Sequence, residues 1–140
     1  TLEPMPTRDA VIVILSVVAL ARQQNYPVSQ LQSDLPQRFT FSDRLKNIPT
    51  AVSQNKLAEF QSEDQQASLH RIERTFSDVF GSVSGVDFTD GLRVTFKTGD
   101  IIHLRPSGNA PELRCYSESD TEHSAKAINQ IAMKIVKSWL

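Results

Sequence analysis

The chain has 140 residues, enough for one domain of ordinary size or one domain with a piece of another. Hydrophobic content of 39%, charged content of 22% and a net charge of −1 describe a soluble globular chain and exclude a nucleic-acid binder that works through a global basic field. A single cysteine excludes an internal disulfide, and no Cys/His cluster has zinc-site spacing.

Residues 1–7 carry two prolines and no periodic pattern, and Thr7 and Asp9 are placed to cap a helix. The chain then reads as a helix from about Arg8 to Gln24. The β-branched run Val11–Leu15 suggests a strand, but its length and the Ala-rich continuation decide for helix. The apolar run 10–21 is too short to cross a bilayer, which predicts a helix buried on most sides. No signal peptide is read at the start, and a cytoplasmic location is expected. Asn25-Tyr26-Pro27 ends the helix, and Ser29 is expected to cap a short helix from Gln30 to Leu35, stopped by Pro36. Such an apolar helix lacks strands to cover it, which suggests that residues 1–39 are the tail of another domain.

Phe41–Ile48 reads as an edge-type strand stopped by Pro49. Ser53 opens a helical stretch with Leu57, Ala58 and Phe60. The polar run Gln61–Gln66 is either loop or exposed helix. Leu69, Ile72, Phe76 and Val79 form one apolar helical face, ended by Gly81. The period then changes. Val83, Val86 and Phe88 precede Thr89-Asp90-Gly91, a hairpin signal, and Leu92, Val94 and Phe96 alternate with polar residues. Thr98-Gly99-Asp100 is a second turn before the strand Ile101–Leu104, and Leu113–Ser117 is the last strand. The expectation is an α+β domain with an antiparallel sheet of about four strands. Ser119 and Asp120 are expected to cap a final helix whose stripe is Ala125, Ile128, Ile131, Ala132, Ile135 and Trp139. This helix and the one through Leu69–Val79 cover one face of the sheet. Cys115 is expected to pack a strand, and His70, His103 and His123 to lie at or near the surface.

Between the last two strands runs Arg-Pro-Ser-Gly-Asn-Ala-Pro-Glu-Leu-Arg-Cys-Tyr, Arg105 to Tyr116. Pro106, Gly108 and Pro111 force the backbone to turn. Arg105 offers a planar fork to an oxyanion, Ser107 a hydroxyl and Asn109 an amide. Gly108 lets an anion approach backbone N–H groups, and Arg114 is a second guanidinium. The local chemistry fits a phosphate site as well as an ordinary strand–turn–strand.

The stretch resembles the C-terminal phosphate-binding loop of the α-D-phosphohexomutases, commonly Arg-Pro-Ser-Gly-Thr-Glu-Pro followed by an apolar strand with an Arg and an aromatic. Arg105, Pro106, Ser107, Gly108, Pro111, Arg114 and Tyr116 match, whereas Asn109 and Ala110 replace Thr-Glu. The Gly-Asn-Ala-Pro-Glu variant is most similar to the bacterial phosphomannomutases of that family. The resemblance implies residues 1–39 as the helical end of the third mutase domain. It implies residues 40–140 as the C-terminal domain, a four-stranded sheet covered by helices, like that of the TATA-box-binding protein. It implies Arg105, Ser107, Gly108, Asn109 and Arg114 as ligands of the substrate's non-transferring phosphate. It also implies a reaction exchanging hexose 6-phosphate and 1-phosphate, with mannose or glucose phosphate as substrate. Magnesium and hexose 1,6-bisphosphate would serve the full-length enzyme, and the other mutase domains would be partners in cis. The family's serine, metal and sugar-selecting loops are absent from these residues, so the chain alone is expected to be inactive and to bind no metal. Asp87 with Asp90, and Glu118 with Asp120, read as solvated. No nucleic-acid or membrane partner is expected. The alternative from another class is a free-standing α+β interaction module whose loop is only a turn and whose first helix docks on a protein.

Overall fold

A computed structural model describes residues 10–139. The chain divides into two compact units between Gln37 and Arg38. Thr7, Arg8 and Asp9, expected at the start of the first helix, lie outside the described residues.

In the first unit, α1 spans Ala10–Gln24 and α2 spans Val28–Leu31, followed by a 3₁₀ turn over Gln32–Asp34. The end of α1 is a left-handed cap. Asn25 has φ 56°, its N–H donates to Arg22 O, and Tyr26 N–H donates to Ala21 O at 2.9 Å. The short helix begins two residues earlier than the sequence suggests, because Pro27 rather than Ser29 takes the N-cap position. The expected burial of α1 is not found within its unit. Val11, Ile14 and Leu15 are 60%, 61% and 57% exposed, and Ala21 is the buried residue. Two short elements cannot cover a helix that is apolar all round.

The second unit is α+β. Its strands are β1 (Phe39–Lys46), β2 (Val83–Asp87), β3 (Leu92–Phe96), β4 (Ile101–Pro106) and β5 (Glu112–Ser119); its helices are α3 (Thr50–Ala58), α4 (Gln65–Phe80) and α5 (Glu122–Lys137). The sheet is antiparallel throughout, in the order β1-β5-β4-β3-β2. The four-strand meander expected from sequence is β2 to β5, and β1 adds a fifth strand along β5. It ends at Lys46 rather than Ile48. Asn47 leaves the extended region at φ 64°, and the Ile48 N–H turns to Pro111 O at 2.9 Å.

Alternation along the strands produces two unlike faces. Leu92, Val94, Phe96, Ile102, Leu104, Leu113 and Cys115 point into one core with Ile72 and Phe76 of α4 and Ala132, Met133 and Val136 of α5. Phe60, Phe76, Phe80, Phe96 and Trp139 form a chain of ring contacts with centroids 5.1–6.3 Å apart. The opposite face is polar, carrying Ser42, Arg44, Arg93, His103, Arg105, Arg114 and Tyr116.

Several helix details depart from the sequence reading. Pro49 takes the N-cap position of α3, so Ser53 lies inside the helix and is buried. Asp64 caps α4 by accepting from Gln66 N–H, so the polar run before it is loop. The buried stripe of α4 is Ser68, Ile72, Phe76 and Phe80, and Val79 is 51% exposed. Thr121, not Ser119 or Asp120, caps α5. Its Oγ1 accepts from Ser124 N–H, while Ser119 Oγ donates to Asp100 and Asp120 pairs with Arg38. The α5 stripe turns about Asn129, which is fully buried and donates to Cys115 O at 3.0 Å. Ile128, Ile131, Ile135 and Trp139 flank it, half-buried.

Gly91 makes a close approach that no side chain can share. Its φ is +94°, and a Cβ there would stand 2.2 Å from Leu104 O. Gly91→Ala should lower stability by about 2 kcal/mol or more in urea unfolding. Cys115 reports the core. Burial first, then the charge of Asp43, pushes its thiol from 9.0 up to about 12. Above pH 9 the unfolded chain gives up this proton while the folded chain keeps it. Stability is therefore expected to fall as pH rises from 9 towards 12, with a shallower fall in Cys115→Ala, read from denaturation midpoints.

Candidate phosphate-binding loop

The loop between β4 and β5 is held by its own backbone and from behind. Ser107 N–H donates to Glu112 O at 2.9 Å, closing its base, and Glu112 N–H donates to Ala110 O at 2.8 Å around Pro111. The connection from β1 into α3 braces it: Ile48 N–H donates to Pro111 O at 2.9 Å, and Thr50 Oγ1 donates to Ser107 O at 3.2 Å. Carbonyl groups are thus consumed at the back. At the front, among the described residues, the Gly108 and Ala110 N–H groups make no hydrogen bond.

Each residue singled out from sequence takes a distinct place. Arg105 sits near the end of β4, its side chain 44% exposed, with Nε 2.9 Å from Asp90 Oδ2. Ser107 is buried, and its Oγ accepts weakly from Asn109 N–H at 3.4 Å, which leaves the hydroxyl proton to donate. Gly108 has an ordinary backbone conformation and nothing within 4 Å of where a Cβ would stand. No turn or neighbour of this chain requires glycine there; the space in front of it is open. Asn109 is exposed. Arg114 stands directly across from Arg105 in the β4–β5 register. The neighbouring Tyr116 hydroxyl first, and then the Glu112 carboxylate, raise the Arg114 guanidinium above its ordinary value.

Two residues escaped the sequence reading. Asp90, read as solvated in a turn, is the counterion of Arg105. Its position is fixed by the Gly91 approach and by His103 Nε2, 2.6 Å from Asp90 O. Arg44, on β1, is carried beside Arg114 by strand pairing. Glu118 and Asp120 are not simply solvated either: both pair with Arg38, whose Nη2 also donates to Gly99 O at 2.6 Å. Only the fold could have revealed these partners, which lie far apart in sequence.

The Arg105 guanidinium, the Ser107 hydroxyl and the amides of Gly108, Asn109 and Ala110 are donors carried by one short stretch, a set that suits an oxyanion. Among the described residues, no group of three or more His, Cys, Asp or Glu is placed to hold a metal ion. No described helix is long and apolar enough to cross a membrane.

Comparison with known proteins gives the chain a family. The family model described as "Phosphoglucomutase/phosphomannomutase, C-terminal domain" matches residues 45–138. The chain is 38% identical over 139 residues to a phosphomannomutase of Salmonella muenchen, covering 99% of this chain and 28% of that protein. It is 36% identical over 138 residues to a phosphomannomutase of Sinorhizobium fredii, with the same coverage on both sides. A probable phosphoglucosamine mutase of Methanothermobacter thermautotrophicus is 27% identical over 93 residues, 66% of this chain and 21% of its own length. The chain therefore spans little more than a quarter of the bacterial relatives it matches.

The open space before Gly108 separates folding from binding. Gly108→Ala should change stability by less than about 0.5 kcal/mol. It should still weaken phosphate binding, because the added methyl group occupies the approach to the N–H groups; denaturation and phosphate titration together check this.

Proposed function

The chain belongs to the family of phosphoglucomutase/phosphomannomutase C-terminal domains, and from that membership we propose that its loop holds the non-transferring phosphate of a hexose phosphate. The observation that carries the reading is a pair of donors without protein acceptors, Gly108 N–H and Ala110 N–H, on the loop that Arg105 opens. Arg105, Ser107, Gly108, Asn109 and Arg114 are the proposed ligands. A dianion can be held by such donors whichever end of the sugar carries it, because the loop reads the phosphate and not the ring.

In this reading the whole protein exchanges phosphate between the 6- and 1-positions of a hexose, with mannose favoured by the Asn109-Ala110 variant and by the two phosphomannomutase relatives. The reaction would use a serine, magnesium and a hexose 1,6-bisphosphate intermediate supplied outside these residues. In this reading these residues bind and position the phosphate and the chemical step belongs to the rest of the protein, so the chain alone would be inactive. Phosphate binding by the loop would also draw the other domains closed. Residues 1–39 would be the end of the preceding mutase domain and 40–140 the phosphate-binding domain. The division between Gln37 and Arg38 and the exposed apolar residues of α1 support that boundary.

The test is an amide-shift titration of the chain with mannose 6-phosphate, with glucose 6-phosphate and sulfate as controls. Shifts centred on Arg105, Ser107, Gly108 and Asn109 are expected, at roughly millimolar affinity, since the other domains' contacts are absent. Charge-assisted hydrogen bonds contribute about 1.5–3 kcal/mol each, so Arg105→Ala should weaken binding about tenfold to a hundredfold. A loop that stays silent at saturating ligand, in this chain and in the longer protein, would refute the assignment.

A further inference from the structure

The loop stands at one end of a longer basic row. The β4–β5 register sets Arg105 opposite Arg114, and the β1–β5 register sets Arg114 opposite Arg44. Three arginines thus stand side by side on the open face, across three neighbouring strands. Lys46, two residues beyond Arg44 on β1, shares that face. Like charges directly opposite each other across strands are destabilising, and nothing in the fold requires them here.

Protein carboxylates only partly offset the row. Asp90 serves Arg105. Glu112, whose side chain is 15% exposed, is shared by Arg44 Nε at 3.6 Å and Arg114 Nε at 3.9 Å, both longer than a hydrogen bond. Asp43 lies in register with Cys115 on the helix-covered face, and its Oδ1 accepts from Arg44 N–H at 2.7 Å. Arg44 and Arg114, half-exposed, line a polar hollow with Ser42, Asp43 and Tyr116. Ser42 and Tyr116 are themselves opposite one another and line the same hollow, so each brings a hydroxyl to its wall. Neighbouring strands lie about 4.8 Å apart, which puts the backbones of Arg44 and Arg105 about 10 Å apart with Arg114 between them.

We propose that Arg44 and Arg114 form an oxyanion subsite of their own beside the loop, with Ser42 and Tyr116 as hydroxyl donors, that takes a phosphate-class dianion. The proposal deepens the reading that this face receives a phosphorylated ligand; it shares Arg114 with the loop and adds Arg44, Ser42 and Tyr116. A ligand with one phosphate would engage the loop, and a ligand with two anionic groups would engage both ends of the row.

The experiment is a titration of the isotope-labelled chain with inorganic phosphate. The amides of Ser42, Arg44 and Tyr116 and the Nε–H signal of Arg44 report the row, and the amides of Ser107, Gly108 and Asn109 report the loop. Saturable shifts at the row are expected. Arg44→Gln should weaken them about threefold to tenfold while the loop's affinity is unchanged. Arg44→Lys, keeping charge but losing the fork, should fall between. Without phosphate, Arg44→Gln should melt no lower than the parent, because a like-charge neighbour is removed; with phosphate, its melting temperature should rise less. Loop shifts alone would overturn the subsite and leave the loop assignment standing. Row shifts alone would do the reverse, and no shift at either place would overturn both. Row shifts undiminished in Arg44→Gln would also overturn the subsite.

Discussion

The double pairing of β5 is the constraint on which the rest of the domain depends. Along its length β5 is hydrogen-bonded to β4 on one side and β1 on the other, in fixed register. A slip of one residue would turn Leu113, Cys115 and Ser117 outward and bury Arg114 and Tyr116. The register is defended from both sides of the sheet. Beneath it, Asn129 of α5 donates to Cys115 O, and Ser117 Oγ lies 2.7 Å from Ala125 O and 3.2 Å from Phe41 O. At the end of the pair, Arg38 ties the start of β1 to Glu118 and Asp120. These ties are polar bonds in a mainly apolar core, and they specify position where greasy packing alone would tolerate sliding.

The loop inherits its shape from that pairing. Its two stems are held at a fixed separation by β4 and β5, and the turn from β1 into α3 fills the space behind it. Ile48 N–H and Thr50 Oγ1 take up Pro111 O and Ser107 O. The outcome is a backbone whose Ser107 and Pro111 carbonyls are taken up by the protein while the Gly108 and Ala110 N–H groups make no hydrogen bond, a polarity that suits an anion. The hairpin from β2 to β3 adds a second brace. Gly91 packs against Leu104 O, just before Arg105, so the Asp90 carboxylate lands on the guanidinium rather than in solvent. Both charges remain substantially exposed, so this pair orients Arg105 more than it stabilises the fold.

The sheet's two faces divide the labour. One is sealed by α4 and α5 through a run of aromatic contacts and supplies the stability. The other stays open and carries the charge. Arginines can be set in a row there because the fold draws its stability from the opposite face, and because each side chain reaches solvent. The first unit is built on a different logic: α1 is apolar on every side, yet among the described residues of its unit only α2 and one 3₁₀ turn accompany it.

Local rules were enough for much of this fold. Prolines and glycines between Arg105 and Tyr116, the Thr89-Asp90-Gly91 hairpin and the alternation Leu92, Val94, Phe96 are each set by backbone sterics or by a two-residue period, so the sequence by itself determined the meander, the loop and the family resemblance. It missed by a fraction of a turn wherever a helix meets a sheet. Val79 and Ile128 are as apolar as their neighbours, and only the packed surface decides that Phe80 and Asn129 face inward. It missed Arg44, Asp90 and Arg38 as partners for a stronger reason. Their charges find one another across tens of residues of chain, through strand register, and no spacing in the sequence encodes that distance. The chemistry of the loop was therefore written in order along the chain, while the row of arginines beside it came into being only when β1 was laid along β5.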